Sequence, residues 1–542
     1  FLSIFVIPGL CGLLLKPHPE KENLVLRLVK KAYLPLLSTR LRSRLLVLGV
    51  SLAAVLGAVA LIPRLGSEFM PVMDEGAFDM DIQMLPGVSL AEAAAITGQV
   101  QDRLMKFPEL QHAVSKTGQT GISLEARGLD RSAFQGNFLP REKWRKGLTK
   151  EELIDRMRAA LADIPGIAYS FSQPIQCRID ELVAGTRAQV IVKLFGDDLD
   201  ALRHTADRLA HVLSEVPGCT DLVVEKISGQ PYINIQVDRE KIARYGLNVA
   251  DVLGVVETAI GGKSATDIYE GNRAFDLVVR FPEERRSSVE AMGNILIQSD
   301  SSAPIPLGEL ADIRVAEGPV QISRENGQRR IGIELNVTGR DIGGFVAQAR
   351  EHIRRELQLP PGTYITWGGQ FENQRQAMDR LMIITPLVIG MILLLLFLTF
   401  HSLRQALLVV AVLPFALAGG VFALILAGMY MSVPASVGFI VLFGVAVLNS
   451  LVLVARVSQL RDEGLAPAEA VRGACENRLR PILMTASITI FSLVPLLFAT
   501  GPGSEVQRPL AAVVVGGLLT STLATLLVLP ALYPWFDRRD SA

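Results

Sequence analysis

Leu381-Met-Ile-Ile-Thr-Pro-Leu-Val-Ile-Gly-Met-Ile-Leu-Leu-Leu-Leu-Phe-Leu-Thr-Phe400 runs for 20 residues without one ionisable side chain. A helix rises ~1.5 Å per residue and the hydrocarbon core of a bilayer is ~30 Å thick, so this run is long enough to cross it. Ala406–Met429, Ala435–Ala455, Pro481–Thr500 and Leu510–Trp535 follow, and none holds Asp, Glu, Lys, Arg or His. A charge at mid-bilayer costs at least ~2.5 kcal/mol, which is why these gaps in charge are informative. Pro414, Pro434, Pro481 and Pro495 do not break the pattern, because neighbouring helices can satisfy the backbone groups that Pro frees. A sixth, slightly short run, Leu45–Ile62, lies near the start.

The sequence therefore predicts a polytopic α-helical membrane protein with one large α+β insert. Its divisions are the end of a transmembrane helix (1–15), a cytoplasmic linker (16–44), a transmembrane helix (45–62), the insert (63–380), five transmembrane helices (381–536) and a cytoplasmic tail (537–542). Phe1–Leu15 has no charged leading region and no small-residue cleavage site, so it reads as the tail of a helix whose start is missing. The chain is expected to be a fragment.

Lys30, Lys31, Arg40, Arg42 and Arg44 precede Leu45–Ile62, and Arg404, Arg456, Arg461, Arg472, Arg478 and Arg480 lie in alternate loops. Arg538 and Arg539 follow the last run. The excess of Lys and Arg marks cytoplasmic loops, which puts the insert on the outer side. The 542 residues carry no net charge, which argues against nucleic acid as a partner. Cys11, Cys177, Cys219 and Cys475 form no CxxC pair. Cys177 and Cys219 share the insert, where a disulfide requires a periplasmic location, and two reduced, partly buried thiols are the expected state.

Within the insert, Phe78–Met84, Gln189–Phe195, Tyr232–Val237, Phe275–Phe281 and Ile331–Val337 read as strands. Leu90–Lys106, Leu199–Val216 and Ile342–Leu357 read as helices. Repeated βαβ units punctuated by Gly and Pro predict several small α+β sandwiches rather than one sheet. The sequence contains no P-loop, HExxH, GxSxG or kinase signature, so nucleotide hydrolysis is not driven from this chain. Asp79 and Asp81 lie two residues apart in a strand, which places them on one face, opposite Phe78, Met80 and Ile82.

Several strings resemble the heavy-metal efflux branch of the resistance–nodulation–division superfamily, the cobalt–zinc–cadmium type of inner-membrane pump. They are Gly66-Ser-Glu-Phe-Met-Pro71, Asp74-Glu-Gly76, Leu85-Pro-Gly87, Gln173-Pro-Ile175, Asp180-Glu-Leu-Val-Ala-Gly185, Phe195-Gly-Asp-Asp-Leu199, Gly318-Pro-Val-Gln-Ile-Ser-Arg-Glu-Asn-Gly327 and Trp367-Gly-Gly-Gln-Phe-Glu-Asn373. In the apolar block, Val437–Asn449, Arg478–Thr485 and Thr500–Val506 resemble the tenth helix, the eleventh helix and the loop after it. The resemblance runs in order over the whole chain, from the end of helix six through helix twelve of a twelve-helix family.

The resemblance implies that 63–380 is a periplasmic insert of porter-type βαβ subdomains and part of a docking domain, and it implies proton-driven export from the periplasm or cytoplasm. It further implies a bacterial inner-membrane homotrimer in contact with lipid, a periplasmic adaptor and an outer-membrane channel. A divalent metal ion would be the substrate, and no tightly bound cofactor is expected. Copper-exporting relatives use three cleft methionines, and two of those positions fall at Asp81 and Glu181. Carboxylates there suit Zn²⁺, Co²⁺, Ni²⁺ or Cd²⁺ better than a soft monovalent ion. The third position falls near Arg131, beside Asp130. The candidate metal residues are Asp81, Glu181, Asp79, Asp130 and Glu75. Asn449, Ser450 and Thr485 are the candidate lining of a proton path, facing carboxylates on a fourth helix that this chain lacks. Drug-exporting relatives carry Lys where Leu448 stands here. Two other exporters remain as alternatives. One exports organic compounds, for which 6% aromatic residues is sparse. The other exports copper or silver through Met70, Met73, Met80 and Met84.

Overall fold

The computed structural model describes residues 5–14, 27–33, 35, 44–118, 128–184, 186, 188–226, 229–298, 303–319, 321–499, 501 and 503–536. Readings that involve Arg40, Arg42, Gly185, Thr500, Arg538, Arg539, the side chain of Asp180 and the tail 537–542 lie outside the described residues, as does most of the linker 16–44.

Six described helices are long and apolar enough to cross a membrane: Leu45–Arg64, Gln370–Phe400, Leu403–Leu426, Val433–Asp462, Pro467–Leu497 and Ser504–Phe536. Each contains most of one predicted run. Several extend past the apolar stretch, because a helix continues into water wherever its backbone stays hydrogen-bonded. The third and sixth pack backbone to backbone. A Cβ at Gly419 would lie 2.0 Å from Thr520 Oγ1 and 2.5 Å from the Gly516 carbonyl, so only Gly permits this approach.

The insert is built on two antiparallel sheets. The first contains β1 (Ala77–Gln83), β2 (Leu110–Thr117), β3 (Arg131–Phe138) and β4 (Ala168–Ser172), in the order β2-β3-β1-β4. Helices α1 (Leu90–Leu104) and α2 (Lys150–Leu161) cover one face, joined to it by a core of Phe78, Met80, Ile82, Phe134, Leu153 and Met157. Ser89 and Thr149 start these helices by accepting the backbone N–H of Glu92 and Glu152. The short helix α3 (Pro174–Ala184) follows β4.

The second sheet contains β5 (Val190–Phe195), β6 (Cys219–Val224), β7 (Gln328–Val337) and β8 (Tyr364–Gly369). In it β7 lies between β6 and β5, and β5 lies between β7 and β8. Helices α4 (Leu199–Ser214) and α5 (Ile342–Glu356) cover one face over Val190, Val192, Leu194, Leu209 and Phe345. Both sheets share a rule: each helix joins two strands that flank a third, antiparallel one, giving split βαβ units. The sequence reading placed β1, β5, β7, α1, α4 and α5 to within a few residues, and it did not single out β2, β3, β4, β6, β8 or α2.

The strands Gln230–Val237 and Ala311–Gly318 pair over a separate core that includes Ile242, Val252, Met292 and Leu307. A hairpin of Lys263–Glu270 and Arg273–Val279 belongs to this region, and every residue of its two strands is exposed.

The second sheet connects directly to the membrane. β8 ends at Gly369, and the helix Gln370–Phe400 begins at the next residue. Gly369 has φ 83°, and a Cβ there would meet the Gln189 carbonyl at 2.6 Å. Gly is needed on both counts.

Candidate metal centre

Strand alternation leaves each sheet with a second face that is not used by its helices. On β1 that face carries Asp79, Asp81 and Gln83, while Phe78, Met80 and Ile82 point into the core. The register sets Gln83 beside Arg131, Asp81 beside Ala133 and Asp79 beside Gln135 on β3. On β4 it sets Asp79 beside Ser172 and Asp81 beside Ser170.

The unused faces of the two sheets enclose a cavity of about 30 Å³. Asp79, Asp81, Gln83 and Arg131 line it from the first sheet, and Glu334 and Val223 from the second. A water needs ~10–15 Å³ of such space, so the cavity admits one or two waters, or an ion that has shed most of its hydration shell. An ion that sheds water must be given oxygen or nitrogen ligands in return.

The polar groups around this space are closely engaged. Gln135 Nε2 donates to Asp79 Oδ2 at 3.3 Å. Arg131 Nη1 stands 3.9 Å from Asp81 Oδ2. Thr186 Oγ1 donates to Glu334 Oε1 at 2.7 Å. Burial raises the pKa of Glu334, the Asp81 and Glu225 charges add to the rise, and the Thr186 hydrogen bond and the Arg131 charge oppose it. Gln83 is 4% exposed, and its Oε1 has no hydrogen-bond partner among the described residues. Among the described residues, no three His, Cys, Asp or Glu side chains converge closely enough to hold an ion as the protein stands.

The five predicted metal residues separate. Asp79 and Asp81 share one face of β1, as their spacing implied, and that face lines the cavity. Glu181 lies on α3, where its carboxylate takes Arg178 at 3.2 Å. Its charge is felt by Cys177, as are those of Asp79 and Asp81, so α3 borders the same region. Glu75 does different work. Its carboxylate accepts the backbone N–H of Ile175 at 2.9 Å and of Gln176 at 3.2 Å, capping α3. Asp130 is buried at the start of β3, outside the cavity lining, and its charge acts on Lys226. Glu75 and Asp130 are therefore not among the residues that face the cavity.

Glu334, which does face it, was missed from sequence. Its signal was the same alternation that selected Asp79 and Asp81, applied to Arg330, Gly332, Glu334 and Asn336 on β7.

Burial drives the Cys177 thiol up to about 12, with the Asp79 charge adding to the rise, and Cys177 and Cys219 are both free thiols. Met80 and Met84 are fully buried in the core of the first sheet and Met73 is nearly so, which leaves only Met70 of that cluster lining a cavity.

In the helical block, Thr485 Oγ1 lies 3.0 Å from Asn449 Oδ1 and also reaches the Pro481 carbonyl one turn back. Ser450 Oγ bonds to the Ala446 carbonyl and lies 2.9 Å from Thr525 Oγ1. Asn449 Nδ2 is buried without a partner among the described residues. Thr525 sits in a π-helical turn, Ala524–Val528, a local irregularity that often marks a functional helix. Thr525 was not anticipated from sequence.

A profile described as the AcrB/AcrD/AcrF family matches residues 1–537. The chain is 42% identical over 547 residues to the cobalt-zinc-cadmium resistance protein CzcA of Cupriavidus metallidurans, covering 99% of this chain and 52% of that protein. It is 40% identical over 538 residues to the nickel and cobalt resistance protein CnrA of the same organism, with coverage of 98% and 50%. It is 32% identical over 552 residues to the cation efflux system protein CusA of Escherichia coli K12, with coverage of 99% and 53%. The crystal structure of a heavy metal efflux pump superposes with a TM-score of 0.84 at 36% identity, over 99% of this chain and 54% of that one. The chain spans about half the length of the curated relatives it matches.

Proposed function

The chain belongs to the AcrB/AcrD/AcrF family, within the heavy-metal efflux branch of the resistance–nodulation–division superfamily, and from this premise we propose that it forms half of a proton-driven exporter of divalent metal ions. The observation that carries the proposal is the cavity between the two sheets. Three carboxylates, Asp79, Asp81 and Glu334, reach it from opposite walls together with the Gln83 amide. Oxygen donors of this kind suit Zn²⁺, Co²⁺ and Ni²⁺. The relatives named for cobalt, zinc, cadmium and nickel agree with that chemistry. Methionines held inside the first core offer no thioether cluster for a monovalent ion.

In this reading the two sheets belong to porter subdomains that move against each other. Opening admits the partly hydrated ion. Closure brings the carboxylates of opposite walls together around it, and Glu181 on α3 approaches from the rim. Asn449, Ser450, Thr485 and Thr525 are the polar groups through which this half contributes to proton transfer, since polar groups among apolar helices are costly and usually functional. The direct join of β8 to the helix Gln370–Phe400 carries motion between the two regions.

The fully exposed hairpin 263–279 presents Tyr269, Phe275 and Leu277 to solvent. An extended arm with apolar side chains outside any core is suited to grip a second copy, in keeping with a homotrimer. The same reading places the protein in the inner membrane, with the insert in the periplasm beside an adaptor and an outer-membrane channel.

The test is metal tolerance of a sensitive host that expresses the complete gene with its adaptor and channel, across Zn²⁺, Co²⁺, Ni²⁺, Cd²⁺ and Cu⁺. Protection confined to divalent ions is expected. Protection against Cu⁺ alone would overturn the carboxylate site.

A further inference from the structure

Arg131 is an unexpected neighbour for a cation site. It lies on β3 directly across from Gln83, lines the cavity, and stands 3.9 Å from Asp81 Oδ2. A guanidinium stays charged at any pH the protein meets, so it cannot leave the acidic groups by losing a proton. It can leave only by moving. The structure gives it room to move: its side chain is 35% exposed, against 22% for Asp81. The same cavity holds a buried acceptor, Gln83 Oε1, that nothing among the described residues satisfies. A buried acceptor left without a donor costs ~1–3 kcal/mol, and a bound cation would relieve it.

We propose that Arg131 is a tethered counter-ion that occupies the metal site between transport cycles and is exchanged for the divalent ion. The proposal rests on the metal-site reading above. When the ion arrives, the guanidinium swings out toward solvent, and Asp81 turns from Arg131 to the metal. When the guanidinium returns, it competes for the same carboxylate and drives release. The exchange explains two facts together. The carboxylates face one cavity, yet they do not converge into a ready-made chelate. A pump that must release its cargo gains from such an arrangement, because an over-stable site would trap the ion. Arg131 is thus a positioning and release residue, not a ligand.

The test is Zn²⁺ binding by the purified full-length protein in detergent, by competition with a chromophoric chelator, together with stopped-flow dissociation. Arg131→Gln removes the competing charge. It is expected to tighten Zn²⁺ about tenfold, equal to ~1.4 kcal/mol, with most of the change in a slower dissociation rate. The host should then become less tolerant of zinc although its pump binds zinc better. Arg131→Lys keeps a charge at the site and should stay within about threefold of the parent. If Arg131→Gln does not fold, Arg131→Met makes the same test. Zn²⁺ binding that is unchanged or weaker in these charge-free variants, while Asp81→Asn still weakens it, would end the counter-ion role and leave the site standing. Binding that is indifferent to both Asp81→Asn and Glu334→Gln would remove the site itself.

Discussion

Asp221 ties the two walls of the cleft together, and Asp221→Asn measures how firmly. The residue sits on β6 with φ 52°, a left-handed backbone that Asp and Asn both tolerate, so the substitution removes charge without adding backbone strain. Its side chain is only 3% exposed. It accepts Arg158 Nε and Nη2, each at 2.9 Å, from α2. It also accepts the Phe171 backbone N–H of β4 at 3.2 Å and Asn336 Nδ2 of β7 at 3.1 Å. Removing one member of a buried ion pair costs ~3–5 kcal/mol. Arg158 retains 21% exposure and a second acid, Asp155, at 2.8 Å, so water and that neighbour absorb part of the loss. Asn336 keeps the Ser170 hydroxyl at 3.0 Å and the Phe171 carbonyl at 3.2 Å. A destabilisation of ~2–3 kcal/mol remains once those compensations are allowed for. Thermal unfolding in detergent should be run on the parent, Asp221→Asn, Arg158→Leu and the double variant as a cycle. A coupling near ~2 kcal/mol is expected. A coupling below ~0.5 kcal/mol, typical of an exposed ion pair, would refute the latch.

Three further outcomes follow from local geometry. Gly369→Ala should lower both folding yield and metal tolerance, because its Cβ would lie 2.6 Å from the Gln189 carbonyl at the joint between sheet and membrane helix; normal yield and tolerance would show that the joint can relax. Glu68 lies outside the membrane spans, and burial raises its carboxyl to about 7. Its folded state then holds a proton more tightly than its unfolded state, so stability should fall as pH rises from about 4.5 to about 7. Glu68→Gln should flatten that slope by ~1–3 kcal/mol in pH-dependent unfolding, whereas an unaltered slope would assign it to another group. With its thiol held near 12, Cys177 should resist maleimide at neutral pH in the folded protein and react on unfolding; rapid labelling of the native state would contradict its burial.

The spans were legible because the hydrocarbon core excludes charge, and that exclusion leaves runs as plain as Leu381–Phe400. Their ends were less legible. The helix that contains this run begins at Gln370, and nothing in Gln370–Arg380 distinguishes a helix leaving the bilayer from a loop. Alternation in Phe78–Met84 showed which residues share a face, and the structure places Asp79 and Asp81 on it as expected. It could not show what lies across the gap. Glu334 is more than 250 residues from Asp79 in sequence, and only the packing of two sheets unites them. Glu75 illustrates the converse. Its position in a family-like string suggested a ligand, yet its carboxylate serves the N-terminus of α3 some 100 residues away. Short-range patterns give the face, and long-range packing decides the role.

Equilibrium Zn²⁺ binding to the full-length protein that carries Asp81→Asn together with Glu334→Gln tests the central claim most directly. These substitutions keep side-chain shape and remove one carboxylate charge from each wall of the cavity. The account predicts that affinity falls by at least about tenfold, roughly 1.4 kcal/mol, while the protein stays folded and membrane-inserted. Affinity equal to the parent's would place the metal elsewhere in the protein and contradict the account.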